Sequence, residues 1–546
     1  MVVGLLVLLP GVYLFYGSVH AEGVHGVTLE NWRSVYLSPA YLLPFANTLL
    51  LSAVVSVLCV VIGVVLAWIV ARSDAPGRQQ FALLLYLPVM VSPLITALAW
   101  VALAAPNAGF LNALLQAFVP AAKETFDVYS FAGVVFVMVL HYVPYAYLAA
   151  YVALRTIDAS LEDASHVLGA GPLQTARRMT LPLIVPAIAS SALLTFVFVA
   201  ENFSVPTLLG TPVGYATLPS QLYFDLNVAP AHPGLAATAG TMLLLLGLVG
   251  TVLHKRISAT SRRFVTIGGK GGQHRLVRLG GLRYAATLFC VLYLTLAILL
   301  PYLALVVGSF MNYVTATITP TLFTLRNYSQ LLSSEYLDPI KNTLLLSLGG
   351  GLVAGLFYVV VAYLIFRMRD RLGSAVEYLT IVPTALPAMV LAIGLLWAFV
   401  SLPIPIYGTL WLLGLAYVTR YIGYGVRQSS ATMIQIAPEL EEAARVSGAS
   451  AMRAFRDVVL PIMRPAFLSL WMLLVILFSL ELSATILLYS PTSMTAVVLL
   501  WNQLAAGYTT VAFSIAVLQA TAVFVLLAVL NRLFGSSWLH SELLGE

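Results

Sequence analysis

The chain has 546 residues, of which 61% are hydrophobic and only 9% charged, with a net charge of +6. A soluble globular protein carries roughly 25% charged residues, so this composition excludes a soluble enzyme or binding module and calls for an all-α, polytopic membrane protein. The positive excess sorts by membrane side, so it is not read as nucleic-acid binding.

A helix needs about 20 apolar residues to cross the hydrocarbon. In chain order, twelve spans are predicted over 2–19, 44–71, 81–104, 131–153, 185–203, 235–254, 284–310, 341–366, 375–401, 409–428, 466–489 and 508–532. The first run opens without a basic flank. A cleaved leader is its competing reading, disfavoured because Gly4 to Tyr16 lacks a charged leading region and a similar run recurs at 284–310. Cys59 and Cys290 fall inside apolar runs and read as packing residues, with no disulfide framework or metal spacing.

Alternate loops are basic: 72–80, 154–184, 254–283, 367–374 and 427–464, with the end of the last span, hold 22 of the 27 Lys and Arg. Positive-inside bias places these loops in the cytoplasm, with both termini inside.

Two of the basic loops repeat one another. Leu161-Glu-Asp-Ala-Ser-His-Val-Leu-Gly169-Ala170 runs on to Leu181-Pro182 and Pro186. Leu440-Glu-Glu-Ala-Ala-Arg-Val-Ser-Gly448-Ala449 runs on to Leu460-Pro461 and Pro465. Aligning 161–188 with 440–467 gives 11 identities in 28 positions, where chance gives about two or three. Thr28 to Trp32 recurs as Thr324 to Tyr328, Pro44 with Asn47 to Ser52 as Pro339 with Asn342 to Ser347, Pro88 as Pro383, and His141 to Tyr145 as Arg420 to Tyr424. The expected organisation is therefore a first transmembrane repeat over 1–254, a basic cytoplasmic linker over 255–283 and a second transmembrane repeat over 284–546. Six spans is an even number, so the two six-helix repeats enter the membrane in parallel orientation.

Each repeated loop reads as a short helix. Asp158 can cap the first, and Pro438 suits the first residue of the second. Leu161, Ala164, Ser165 and Leu168, like Leu440, Ala443, Ala444 and Ser447, give each a narrow face of mostly small side chains. Gly169 and Gly448 suit the left-handed turn that ends such a helix. A helix this small buries little by itself. It either fits a cleft on a partner or packs on its own chain, and two copies at symmetric positions favour two matching partner sites.

Glu162, Ala164, Gly169 and Ala170, and Glu441, Ala443, Gly448 and Ala449, with the downstream Leu-Pro, resemble the signature of the inner-membrane permease subunits of ATP-binding-cassette importers. The first copy departs in having Asp163 and Ser165 around its alanine. The resemblance covers nearly the whole chain and implies the fused transmembrane domain of a type I importer in a bacterial or archaeal inner membrane. Segments Glu201 to Gly210 and Glu481 to Pro491 resemble the ferric iron group, with thiamine, aminoalkylphosphonate, polyamine and sulfate permeases as relatives.

The family implies that a periplasmic or lipid-anchored binding protein delivers substrate and that two copies of an ATPase dock on loops 158–182 and 437–461. ATP and magnesium would sit on that homodimeric ATPase. This chain would bind no cofactor and carry no catalytic residue, since no G-x-x-x-x-G-K-[ST] loop occurs in it. The basic linker would lie near anionic lipid.

Ionisable residues within spans are costly and commonly face a cavity. His141 and Arg420 are repeat equivalents, as are Glu201 and Glu481 within one residue. With Tyr145 and Tyr424 they are the candidate lining of a translocation path. The competing reading is a structural ion pair between Arg420 and one glutamate. No metal site is expected. Loops 105–130, 204–233 and 311–340 face outward for the binding protein, and Asp225, Glu335 and Asp338 there read as solvated charges. A twelve-span transporter driven by an ion gradient shares the span count and repeat but has no use for the paired loops. A non-transporting scaffold has no use for symmetric polar residues in the spans.

Overall fold

The computed structural model describes residues 2–20, 26–119, 125–157, 164–165, 167–261, 276–315, 319–367 and 371–534. Among them the secondary structure is helical, with two isolated β-bridges, Ser73 to Val277 and Met311 to Phe323. Each of the twelve predicted spans is met by a helix or a bent helix pair. Among the described residues seven single helices are long and apolar enough to cross a membrane: Pro39–Arg72, Phe131–Thr156, Ala176–Ala200, Pro233–Ile257, Leu282–Ser309, Ser334–Arg367 and Thr509–Leu526. Three bent pairs bring the total to ten. The other two are Val2–Ser18, with 17 residues, and Leu410–Met433, which is 24 residues long but carries Arg420 and Arg427.

Proline sets two of the bends. Arg78–Met90 and Pro93–Ala104 meet at 93°, and Gly373–Ala385 and Ala388–Ser401 at 107°. Each break follows a short 3₁₀ turn, Leu87–Met90 with Pro88 or Val382–Ala385 with Pro383. Proline lacks the N–H that would continue the ladder.

The chain forms two compact units, and each draws on both halves of the sequence. One comprises Met1–Tyr41, Gln221–Leu248 and Leu331–Asn502; the other comprises Leu42–Ser220, Val249–Gln330 and Gln503–Glu546. Within the first, Val2–Ser18 packs along Ala388–Ser401. Gly394 allows that approach, because a Cβ there would lie 2.1 Å from the Pro10 carbonyl oxygen. Small residues at such contacts let helix backbones close up where lipid supplies no hydrophobic drive. Within the second, Leu300–Ser309 packs on Pro93–Ala104 and on Thr509–Phe534.

The internal repeat holds at the level of hydrogen bonds. The last carbonyls of a helix lack intrahelical partners, and a buried asparagine satisfies them twice. Asn31 Nδ2 donates to the carbonyls of Ser18 (3.3 Å) and His20 (2.8 Å), and Asn327 Nδ2 to those of Ser309 and Met311 (both 2.8 Å). Trp32 Nε1 donates to Ser18 Oγ at 3.2 Å, and the Tyr328 hydroxyl meets Ser309 Oγ at 2.8 Å. Further along, Leu218 N–H donates to Thr48 Oγ1 at 2.9 Å and Ala496 N–H to Thr343 Oγ1 at 2.7 Å.

Candidate functional site: the paired loops and the polar ends of the spans

The first loop is described from Ala164; Asp158, Leu161, Glu162, Asp163 and His166 lie outside the described residues. In the second, the helix is Pro438–Val446, with proline in its first turn as expected. Both helices end in the same way. Gly169 has φ +84° and Gly448 φ +92°. Leu168 N–H donates to Ala164 O at 3.1 Å and Ser447 N–H to Ala443 O at 3.0 Å. The residue after each glycine bonds back to the carbonyl five positions earlier, Ala170 to Ser165 at 3.1 Å and Ala449 to Ala444 at 3.0 Å. That last bond with a left-handed glycine is the Schellman stop. A Cβ on either glycine would meet nothing of the chain within 4 Å, so backbone conformation rather than crowding requires glycine there.

Each loop then widens into a π-helical turn, Ala176–Thr180 and Phe455–Val459. Pro182 and Pro461 follow at the point where an N–H would be needed to keep α-helical pairing. In the first half the helix runs on as Ala176–Ala200; in the second it bends by 74° between Ala451–Ile462 and Arg464–Ser479.

Ala164, Gly169, Ala443 and Gly448 are exposed, and Ala170 and Ala449 are half-buried. Among the described residues of the two loops the most exposed apolar side chains are Leu168 (87%), already placed on the first helix's narrow face, and two valines not singled out from the sequence, Val167 (86%) and Val446 (90%). Val167 and Val446 are equivalent positions, and a valine facing water in both copies was the available signal. Ser165, Leu168, Gly169, Ala170, Gln174 and Arg178 line a concavity beside the first tip.

Glu441 faces inward instead. Its Oε1 lies 3.1 Å from Arg367 Nη1 and accepts the Tyr363 hydroxyl at 2.9 Å. Both partners sit at the end of span Ser334–Arg367. Beneath them Val359, Met433, Val459 and Met463 form a buried cluster, joined by Tyr363, Phe366 and Phe455.

At the other polar positions the two halves use different chemistry. Arg420 Nε lies 3.1 Å from Glu481 Oε2, an ion pair without hydrogen-bond alignment, and Tyr421 donates to the same oxygen at 2.7 Å. In the first half Asn202, not Glu201, takes the equivalent place. Asn202 Nδ2 donates to the Tyr142 hydroxyl at 3.0 Å, and its Oδ1 accepts Val205 N–H at 3.1 Å, as Glu481 Oε1 accepts Ala484 N–H at 3.2 Å. His141 stands where Arg420 does and is buried, its ring edge-on to Tyr142 at 4.8 Å.

Glu201 and Glu481 do not lie in mid-span. The helices end at Ala200 and Ser479, ahead of them. Asn202 and Glu481 then act as N-cap-like acceptors for the turn that follows. Tyr145 is half-buried against Phe198, with ring centroids 5.1 Å apart, whereas Tyr424 is 57% exposed.

Asp225 is not a solvated charge. It is buried, accepts the Tyr41 hydroxyl at 3.0 Å and Gln221 Nε2 at 2.9 Å, and burial pushes its carboxyl above the usual range against the opposing pull of those bonds. Asp338, by contrast, is exposed and pairs with Lys341 at 3.0 Å. No group of three or more His, Cys, Asp or Glu able to hold a metal occurs among the described residues.

Comparison with known proteins gives consistent relatives. A Haemophilus influenzae transport system permease is 27% identical over 436 residues, 78% of this chain and 66% of that one. The ferric transport system permease protein of Actinobacillus pleuropneumoniae is 27% identical over 429 residues, 78% of this chain and 61% of its own length. A second Haemophilus influenzae protein, an Fe(3+)-transport system permease, is 22% identical over 506 residues, 92% of this chain and 90% of that one. The match thus spans less than two thirds of the first two relatives. Residues 39–263 and 351–537, well over half of the chain and inclusive of both loops, match one family. The chain belongs to the binding-protein-dependent transport system inner membrane components.

Proposed function

We propose that this chain forms the substrate path of a binding-protein-dependent importer and docks two copies of a separate ATPase through loops 158–182 and 437–461. The observation that carries the reading is the matched pair of exposed tips: Val167 with Gly169 and Val446 with Gly448, each on a helix stopped by the same hydrogen bond, with open space around both glycines. Ala164, Ala170, Ala443 and Ala449 complete the docking faces. ATP and magnesium belong to the ATPase, and this chain is a transport subunit without catalytic residues.

A periplasmic or lipid-anchored binding protein supplies the substrate from the outer side, both termini are cytoplasmic, and the basic linker 255–283 lies at anionic lipid. Ferric iron is the favoured substrate, supported by the names of two relatives. Thiamine, an aminoalkylphosphonate or a polyamine are the others. His141, Arg420, Glu201, Glu481, Tyr145 and Tyr424 are proposed along the path.

The decisive experiment is the double variant Gly169→Val with Gly448→Val. A β-branched residue is strained at positive φ, so the helix stop is lost while the spans remain. The variant is expected to insert normally, to lose the ATPase on purification and to lose ATP-driven uptake. Full uptake by this variant, or uptake driven by an ion gradient without any ATPase, would sink the proposal. Binding protein purified from the same transport system and offered ferric iron, thiamine and phosphonate in turn decides the substrate.

A further inference from the structure

Resting on the docking role just given to the two loops, we infer that Glu441 is an intramolecular latch that fixes the docking helix to the end of span Ser334–Arg367. The carboxylate of Glu441 is already engaged by its own chain, with Arg367 Nη1 at 3.1 Å and the Tyr363 hydroxyl at 2.9 Å, both on Oε1. Its side chain is 11% exposed, while Val446 on the same helix is 90% exposed. The helix therefore has two faces with separate tasks: an open tip and a charged heel.

The span grips the second helix of the loop as well. The Tyr363 ring lies 4.5 Å from that of Phe455, and Val359 joins Val459 and Met463 in one buried cluster. One hydrophobic seat and one charged bond thus tie both arms of the loop to the closing turns of a single span. The seat resists separation, but apolar contact is non-directional. The ion pair, made through a planar guanidinium, fixes the rotation of the docking helix on the seat. A force on the tip then turns the span instead of rolling the helix.

In the first half Arg72 is the repeat equivalent of Arg367. Arg72 closes span Pro39–Arg72 as Arg367 closes its own. It is 2% exposed and donates Nη2 to the Leu154 carbonyl at 2.6 Å. Arg72 thereby anchors the end of Phe131–Thr156.

Two measurements test the latch. The first uses the isolated permease in detergent with no ATPase present: unfolding midpoints of Glu441→Gln, Arg367→Met and the double variant. A latch within the chain predicts non-additive effects, the double variant being no worse than either single one. Strict additivity overturns it. The second uses the complete transporter in vesicles and reads substrate imported per ATP hydrolysed, together with ATPase retained on purification. Glu441→Gln and Arg367→Met are each expected to lower the import ratio about tenfold with the ATPase still bound. The exchange Glu441→Arg with Arg367→Glu is expected to restore most of the ratio. If instead Arg367→Met imports normally while Glu441→Gln sheds the ATPase, Glu441 belongs to the partner and the latch fails. If no variant or wild-type chain ever holds an ATPase, the docking reading fails while the first measurement still judges the latch.

Discussion

Glu481 and Asn202 perform one structural task with two chemistries. Each accepts the N–H three residues on and each meets a tyrosine hydroxyl. Only Glu481 also carries a charge, balanced by Arg420. Replacing Glu481 with Leu removes the carboxylate that faces Arg420 and is expected to cost about 3 kcal/mol, read as a shift in unfolding free energy in detergent. Glu481→Gln keeps an acceptor for Ala484 and is expected to cost about 1 kcal/mol. Asp225 offers a pH test. Burial raises its carboxyl, so the folded chain holds the proton more tightly than the unfolded one. Stability from this group is greatest below the ordinary carboxylate range, declines as pH rises through it, and levels off above the raised value. The variant Asp225→Asn should flatten that part of the stability profile; an unchanged profile would show that Asp225 does not contribute. Sequence offered an ion pair of Arg420 with one of the two glutamates as one of two readings, without choosing between them, and matched Glu481 to Glu201 where the structural equivalent is Asn202. Glu201 carries the charge that draws the eye, whereas the hydrogen-bond pattern follows Asn202.

At the scale of elements, the paired loops were the most legible part of the chain. Glycine, proline and a Leu-Pro at fixed spacing dictate a helix, a left-handed stop and a second helix, and all of these appear among the described residues. The polar repeats near the first span of each half were legible as similarity but not as mechanism. Asn31 and Asn327 turn out to cap the carbonyls of the preceding helix. Changing Asn327 to Ala strands two buried carbonyls and is expected to destabilise the fold by about 2 kcal/mol; a change near zero in the unfolding free energy would mean water replaces the side chain. Span ends were the least legible. Predicted spans ran to 203 and 489, while the helices stop at Ala200 and Ser479. Valine, leucine and isoleucine continue on both sides of these breaks, and hydropathy does not distinguish a capped turn from a continuing helix.

Over the whole molecule, duplication is a property of the sequence and compactness is a property of mixed segments. The repeats 1–254 and 284–546 each contribute to both compact units. Nothing in local periodicity reveals this, because the apolar face of a helix does not name its partner. The consequence can be measured. Residues 1–254 expressed alone are expected to insert but to remain protease-sensitive, and to gain protection when 284–546 is co-expressed. Equal resistance of the lone first half would show that it is complete without the second.

The seat of Val2–Ser18 on Ala388–Ser401 also has a temporal side. Pro10 and Gly394 are 384 positions apart in the chain. At about 5–20 residues added per second, the opening helix waits roughly 20–80 s in the bilayer before the ribosome delivers the surface it will rest against. During that interval it must be sheltered by lipid or by the insertion machinery, so slowing translation in the second half should expose this helix, before any other defect shows, to membrane quality control.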